Sequence, residues 1–273
     1  MMEGFDRYET VGVLMLQWED GPGQDLGLAA EVRDLRALFE DDLKFSVESV
    51  HLRPVESDPQ AQLDEAMNAL VHKYDGRSER SLLVVYYSGH GLVADATPND
   101  LVLKWYVRST YQRKMPTNHG IGRRGTGSDT GRQNDESGSR CGRASWAQAE
   151  QSLRERAVCD TLVILDCCFA GHVLTDLDRS ESGRCYEVMV ATGWNGYTPS
   201  PGPRSYTALL IESLKELRAG REPVTTLDLA QTIMQKQKWK GPSNLHPVFL
   251  GCGGRHIVLA PPTSAGVTMK GSK

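Results

Sequence analysis

Two short polar clusters carry the residue types that nucleophilic chemistry needs. His90 lies between Gly89 and Gly91, just after the apolar run Leu82–Tyr87. Cys168 follows Asp166 and Cys167, just after a second apolar run, Thr161–Leu165. A histidine flanked by glycines has a close-packed backbone and an uncrowded ring, so it can reach a reacting group. Cysteine attacks a carbonyl as its thiolate, and a neighbouring imidazole can take that proton and later return it to the leaving amine. His90 and Cys168 fit those two roles. Taken singly, each has a plainer reading, because a cysteine after a strand is commonly a small buried hydrophobe and a lone histidine is commonly structural. It is the pairing that matters: both clusters sit just past the ends of buried strands, where open α/β sheets place their active sites.

The surrounding pattern supplies such a sheet. Val11–Trp18, Ser46–Leu52, Leu82–Tyr87, Thr161–Leu165, Glu187–Ala191, Val248–Leu250 and Ile257–Leu259 read as strands. The runs at 82–87 and 161–165 are apolar without alternation, as in strands covered on both faces. Apolar residues recur at helical spacing over Leu26–Phe39, over a segment opened by the cap Asp58 and Pro59, and over Trp146–Arg156, Ser205–Leu217 and Leu227–Lys238. Alternation of strands and helices predicts an α/β fold with a central, mostly parallel sheet of about six strands and helices on both faces. Residues 1–261 are expected to form one domain.

Two segments depart from the pattern. From about 106 to 142 the chain is rich in Arg, Gly, Ser, Asn and Thr and poor in large apolar residues. Such a composition cannot bury enough surface to fold alone, so a flexible, locally basic insertion is expected there. Residues 262–273 read as a disordered tail.

Composition narrows the function classes. A formal net charge of −4 gives no electrostatic reason to expect nucleic acid or an anionic membrane as a partner. Glu3, Asp6 and Glu9 stand where a secretory signal would be basic, and no apolar run is long enough to span a bilayer. The six cysteines are sparse and irregular, which predicts free thiols and a cytoplasmic location. Cys167 and Cys168 lack the paired ligand spacing of a structural zinc site, so no metal is assigned.

The two clusters resemble a known family. Tyr87-Ser88-Gly89-His90-Gly91 and Leu165-Asp166-Cys167-Cys168 are similar to the paired signatures of caspase-like cysteine peptidases, and in particular of the metacaspases and fungal caspase-like domains. The segment Arg204-Ser205-Tyr206-Thr207, with Ala208-Leu209, also looks like that group, and the likeness runs from about Val11 to Pro261. It implies a three-layer caspase-like fold and a cysteine endopeptidase in which Cys168, rather than Cys167, is the nucleophile. It implies an oxyanion hole formed by the backbone N–H groups of Cys168 and Gly91, donors of a kind that contribute about 10²–10³ in rate. It implies that Asp166 lies in an acidic pocket for Arg or Lys at the cleavage position, with Glu31 as a second carboxylate. Asp166 has a structural alternative, capping backbone N–H groups at the turn after its strand, and the two roles are compatible.

The resemblance also sets expectations for regulation. No cofactor is required; calcium activates many metacaspases, but Asp95 and Asp100 are isolated here and Asp176 and Asp178 fall in the loop 172–184. That loop stands where the family divides its large and small parts, and Arg179 and Arg184 offer basic sites for self-cleavage. The expected partners are peptide or protein substrates. Phe169-Ala170 replaces the family's usual histidine and serine, which keeps a second reading open: a catalytically inactive caspase-like module for signalling or assembly. A third keeps the dyad with another substrate preference.

Overall fold

The computed structural model describes residues 8–19, 27–54, 58–74, 80–94, 100–105, 142–174, 183–220, 223–240, 246–251 and 254–263. In chain order its strands are β1 (Thr10–Trp18), β2 (Ser46–Leu52), β3 (Ser81–Ser88), β4 (His90–Val93), β5 (Leu101–Lys104), β6 (Arg143–Ser145), β7 (Asp160–Asp166), β8 (Tyr186–Val190), β9 (Val224–Thr225), β10 (Val248–Leu250) and β11 (Val258–Leu259). The helices are α1 (Leu28–Ala37), α2 (Pro59–Tyr74), α3 (Trp146–Gln151), α4 (Tyr206–Ala219) and α5 (Thr226–Lys240). Helices α1 and α3 each run on into a turn of wider π geometry, at Leu38–Asp42 and Ser152–Arg156.

The central sheet has six strands in the order β10-β8-β7-β3-β1-β2. All neighbours are parallel except the edge pair β10·β8. Because side chains alternate along a strand, an unbroken apolar run must feed two cores. Strand β3 does so: Leu82, Val84 and Tyr86 pack with α1, α4 and α5, whereas Leu83, Val85 and Tyr87 pack with α2 and α3. The mostly parallel three-layer architecture read from the sequence is therefore observed, with strand bounds within a residue or two.

Three differences stand out. A second, three-stranded sheet that the sequence reading did not include follows β3: His90 begins β4, which pairs antiparallel with β5, and β5 pairs with β6. These strands are only three or four residues long, too short for periodicity to announce them, and the pair β5·β6 joins segments on either side of 106–141. The strand read at Ile257–Leu259 is present as β11, but it pairs with the unpredicted β9 in a separate two-stranded ladder and not in the central sheet. Finally, Cys159, Cys167 and Cys168 are free thiols, but Cys185 is disulfide-bonded, counter to the expectation that all six are free; its partner lies outside the described residues.

The predicted insertion lies outside the described residues except for its last position, Gly142, whose carbonyl accepts the Trp105 N–H at 3.0 Å. Most of the predicted tail does too, but Thr263 donates its N–H to the Tyr8 carbonyl at 3.0 Å, so the domain extends at least that far. No helix among the described residues is long and apolar enough to cross a membrane.

Candidate active site

Strands β1, β3, β7 and β8 all end at the same edge of the sheet, and the residues that follow them meet there. One open cleft of about 140 Å³ is lined by Glu31, Ser88, Gly89, His90, Asp166, Cys168, Thr198 and Ser205, among others. Four of the five residues singled out from the sequence thus share one wall of solvent. The fifth, Gly91, backs it: a Cβ there would come within 2.2 Å of the Cys168 carbonyl oxygen. Only glycine permits that approach of two backbones.

His90 is fixed through its backbone. The Trp18 indole N–H donates to the Tyr87 hydroxyl at 3.1 Å, and that hydroxyl donates to the His90 carbonyl at 2.8 Å. Burial, reinforced by the charge of Lys104 opposite it on β5, pushes the imidazole pKa below its usual value. At neutral pH the ring is therefore a neutral base, able to accept a proton.

The two adjacent cysteines separate by environment. Cys167 is fully buried, and burial, helped by the nearby Asp166 carboxylate, pushes its thiol well above the usual range. Such a thiol is inert. Cys168 is partly exposed and faces the cleft. Its sulfur lies 3.4 Å from the Thr198 N–H nitrogen and 3.6 Å from the Thr198 hydroxyl. The next residue, Phe169, has φ of 59°, a left-handed backbone that a bulky residue adopts only when its surroundings enforce it. They do: its N–H donates to the Gly196 carbonyl, its carbonyl accepts the His172 N–H, and its ring packs edge-on against Tyr197.

Asp166 sits at the floor, buried, without a cation among the described residues. The Thr207 hydroxyl and N–H donate to its Oδ2 at 2.6 and 3.3 Å. Since the single Thr207 hydroxyl proton is used there, the Tyr86 hydroxyl, 2.6 Å away, donates to Thr207 in turn. The sequence-based alternative is thus realised in altered form, because Asp166 caps the first turn of α4 and not the turn after its own strand. Burial raises its pKa to about 6 against the Thr207 hydrogen bonds, with Glu31 raising it further. Glu31 is pinned at the rim by the Gly202 N–H and by the Ser205 hydroxyl at 2.7 Å.

Thr198, Ser205, Thr207 and the two tyrosine hydroxyls are the site residues that the sequence reading did not assign. Ser205 and Thr207 lay inside a segment noted for resemblance alone, and Thr198 carried no signal beyond the proline after it. Among residues weighed for calcium, Asp100 accepts the Ala147 N–H at 3.3 Å, while Asp95, Asp176 and Asp178 lie outside the described residues. No cluster of three candidate metal ligands occurs among the described residues. Of the two expected self-cleavage sites, Arg184 donates to the Leu153 and Arg154 carbonyls, and Arg179 is outside the described residues.

Comparison with solved structures identifies the fold. Protein GSU0716 from Geobacter sulfurreducens is similar with a TM-score of 0.55 at 13% identity, over 89% of this chain and 93% of that one. The Drosophila initiator caspase Dronc is similar with a TM-score of 0.53 at 11% identity, over 89% of this chain and 80% of its own. No known family profile and no curated protein matches the sequence. The chain has a caspase-like fold.

Proposed function

We propose that this protein is a cysteine endopeptidase of metacaspase type, cutting after Arg or Lys. The observation that carries the reading is the convergence on one cleft of a partly exposed cysteine, a histidine held as a neutral base, and two carboxylates that no cation engages among the described residues. In this mechanism His90 takes the Cys168 proton and the sulfur attacks the scissile carbonyl. The N–H groups of Cys168 and Gly91 receive the oxyanion, and His90 returns the proton to the departing amine. Water then hydrolyses the acyl-enzyme. Asp166 receives the guanidinium or ammonium of the substrate, and Glu31 adds negative charge at the rim. A cationic side chain would supply what the Asp166 site lacks, since a buried carboxylate with only neutral donors is unfavourable.

A second reading, a caspase-like module that binds without cleaving, is favoured by the small cleft, about 140 Å³ against the roughly 300–1,000 Å³ of ordinary ligand pockets. Fold does not choose between them. The deciding assay compares the protein and its Cys168→Ala variant on peptides ending in Arg, Lys or Asp, with and without calcium. The expected result is turnover of the Arg and Lys peptides only, with a loss of at least about 10⁴-fold in the variant. Equal background turnover by both proteins would reject the peptidase reading.

A further inference from the structure

We infer that Thr198 is a positioning residue for the Cys168 nucleophile, holding and stabilising its sulfur in the reactive thiolate form; this rests on the reading of Cys168 as a nucleophile.

The turn after β7 and the loop after β8 are stitched together residue by residue. The Thr192 hydroxyl donates to the Cys167 carbonyl at 3.3 Å, the Phe169 N–H donates to the Gly196 carbonyl at 3.0 Å, and between these two bonds the Thr198 N–H donates to the Cys168 sulfur at 3.4 Å. The sulfur is therefore held inside a backbone lattice and is not aimed by its own rotamer alone. Pro199 disfavours a helical backbone at Thr198 and so helps keep that N–H where it is.

The hydroxyl adds a contact whose sense depends on the state of the sulfur. A thiol can donate to Thr198 Oγ1 across the 3.6 Å separation, or accept from it. A thiolate has no proton to give and only accepts. Two donors of one residue, N–H and O–H, then converge on the negative sulfur, and the hydroxyl has no other hydrogen-bond partner among the described residues. Donors that engage the charged form favour it. His90 accepts the proton, and Thr198 holds the charge left behind.

The test uses the full-length protein and a readout independent of peptidase activity. Iodoacetamide is applied at pH 7, and modification of Cys168 is followed by mass spectrometry, with fragment ions distinguishing it from Cys167. Thr198→Val keeps the shape and removes the hydroxyl; Thr198→Ser keeps the hydroxyl and removes the methyl. Losing one hydrogen bond to a charged acceptor removes part of the stabilisation of the negative sulfur, and the higher intrinsic reactivity of the less stabilised sulfur offsets part of that loss. Thr198→Val is thus expected to alkylate about threefold more slowly, with Thr198→Ser matching the parent. Should the valine variant unfold, exposing the buried Cys159 and Cys167 to the reagent as well, Thr198→Ala makes the same comparison without added bulk. Alkylation of the hydroxyl-free variant at or above the parent rate would overturn the proposal, as would a serine variant equally slow. Neither outcome touches the peptidase reading, which stands or falls on Cys168→Ala turnover.

Discussion

Strand β7 carries a buried carboxylate at each end, Asp160 where it enters the sheet and Asp166 where it leaves, and the two are treated in opposite ways. Asp160 receives both guanidinium nitrogens of Arg255 at 2.9 and 2.7 Å, the Tyr8 hydroxyl at 2.7 Å and the Cys185 N–H at 2.6 Å. Its charge is matched by a cation and its lone pairs are filled. Close by, the buried Glu187 is similarly engaged by His256, Thr226 and the Ile257 N–H. Among the described residues Asp166 is hydrogen-bonded by Thr207 alone, with Glu31 as a like charge nearby. One end of the strand is complete without a ligand. At the other, no cation engages the carboxylate among the described residues, which is the contrast on which the proposed Arg or Lys specificity draws.

The contrast can be broken most forcefully at the completed end. Asp160→Ala strands the Tyr8 hydroxyl and the Cys185 N–H and removes the partner of Arg255. Because the Arg255 side chain is 55% exposed, the cost falls below that of a wholly buried pair, at about 2–4 kcal/mol. Urea denaturation measures it, and a loss under 1 kcal/mol would contradict a structural role.

At the other end the sign reverses. Asp166 has a raised folded-state pKa, so the folded chain holds its proton to higher pH than the unfolded chain does. The stability supplied by that proton is complete below about pH 4 and lost as pH rises through about 6. Asp166→Asn keeps a neutral group throughout and is expected to unfold about 1–3 kcal/mol less easily than the parent at pH 7. At pH 4 the two should be alike, while cleavage after Arg is lost. A variant destabilised at pH 7 would show that ionised Asp166 serves the fold.

The smallest effect sharpens the comparison. For the parent, kcat/KM on Arg peptides should fall as pH drops through about 6, when Asp166 takes up a proton; protonation of His90 acts in the same direction. Glu31→Gln removes the like charge that helps hold the Asp166 pKa up, so the acid limb should move to lower pH. An upward movement would be incompatible with the electrostatic coupling.

These two ends also differ in how legible they are in the sequence. Strand β7 reads plainly as an apolar run, and that His90, Asp166 and Cys168 share one cleft is legible because each stands at or just past the end of a buried parallel strand. Glu31 emerges only through resemblance, since nothing in a helix pattern separates a pocket carboxylate from a solvated one. What fills each carboxylate is not legible at all. Thr207 lies 41 residues from Asp166, and Arg255 lies 95 from Asp160. Hydrogen bonds between loops leave no period in the chain, whereas burial of a strand or helix face does.

The strand pair β5·β6 has a consequence for the stretch 106–141. Lys104 faces Arg143 in that ladder, and the Trp105 N–H closes onto the Gly142 carbonyl, so the chain leaves and re-enters the domain at neighbouring points, like a thread passed through two adjacent eyelets. The entropy of closing such a loop grows only logarithmically, at about 0.6 kcal/mol per doubling of length. With both anchor points fixed by β5·β6, a reporter domain or affinity tag inserted between them is expected to add correspondingly little closure cost. The position is not remote, however. Lys104 is also the ladder neighbour of His90, which puts any cargo carried at that seam one strand's width from the proposed general base.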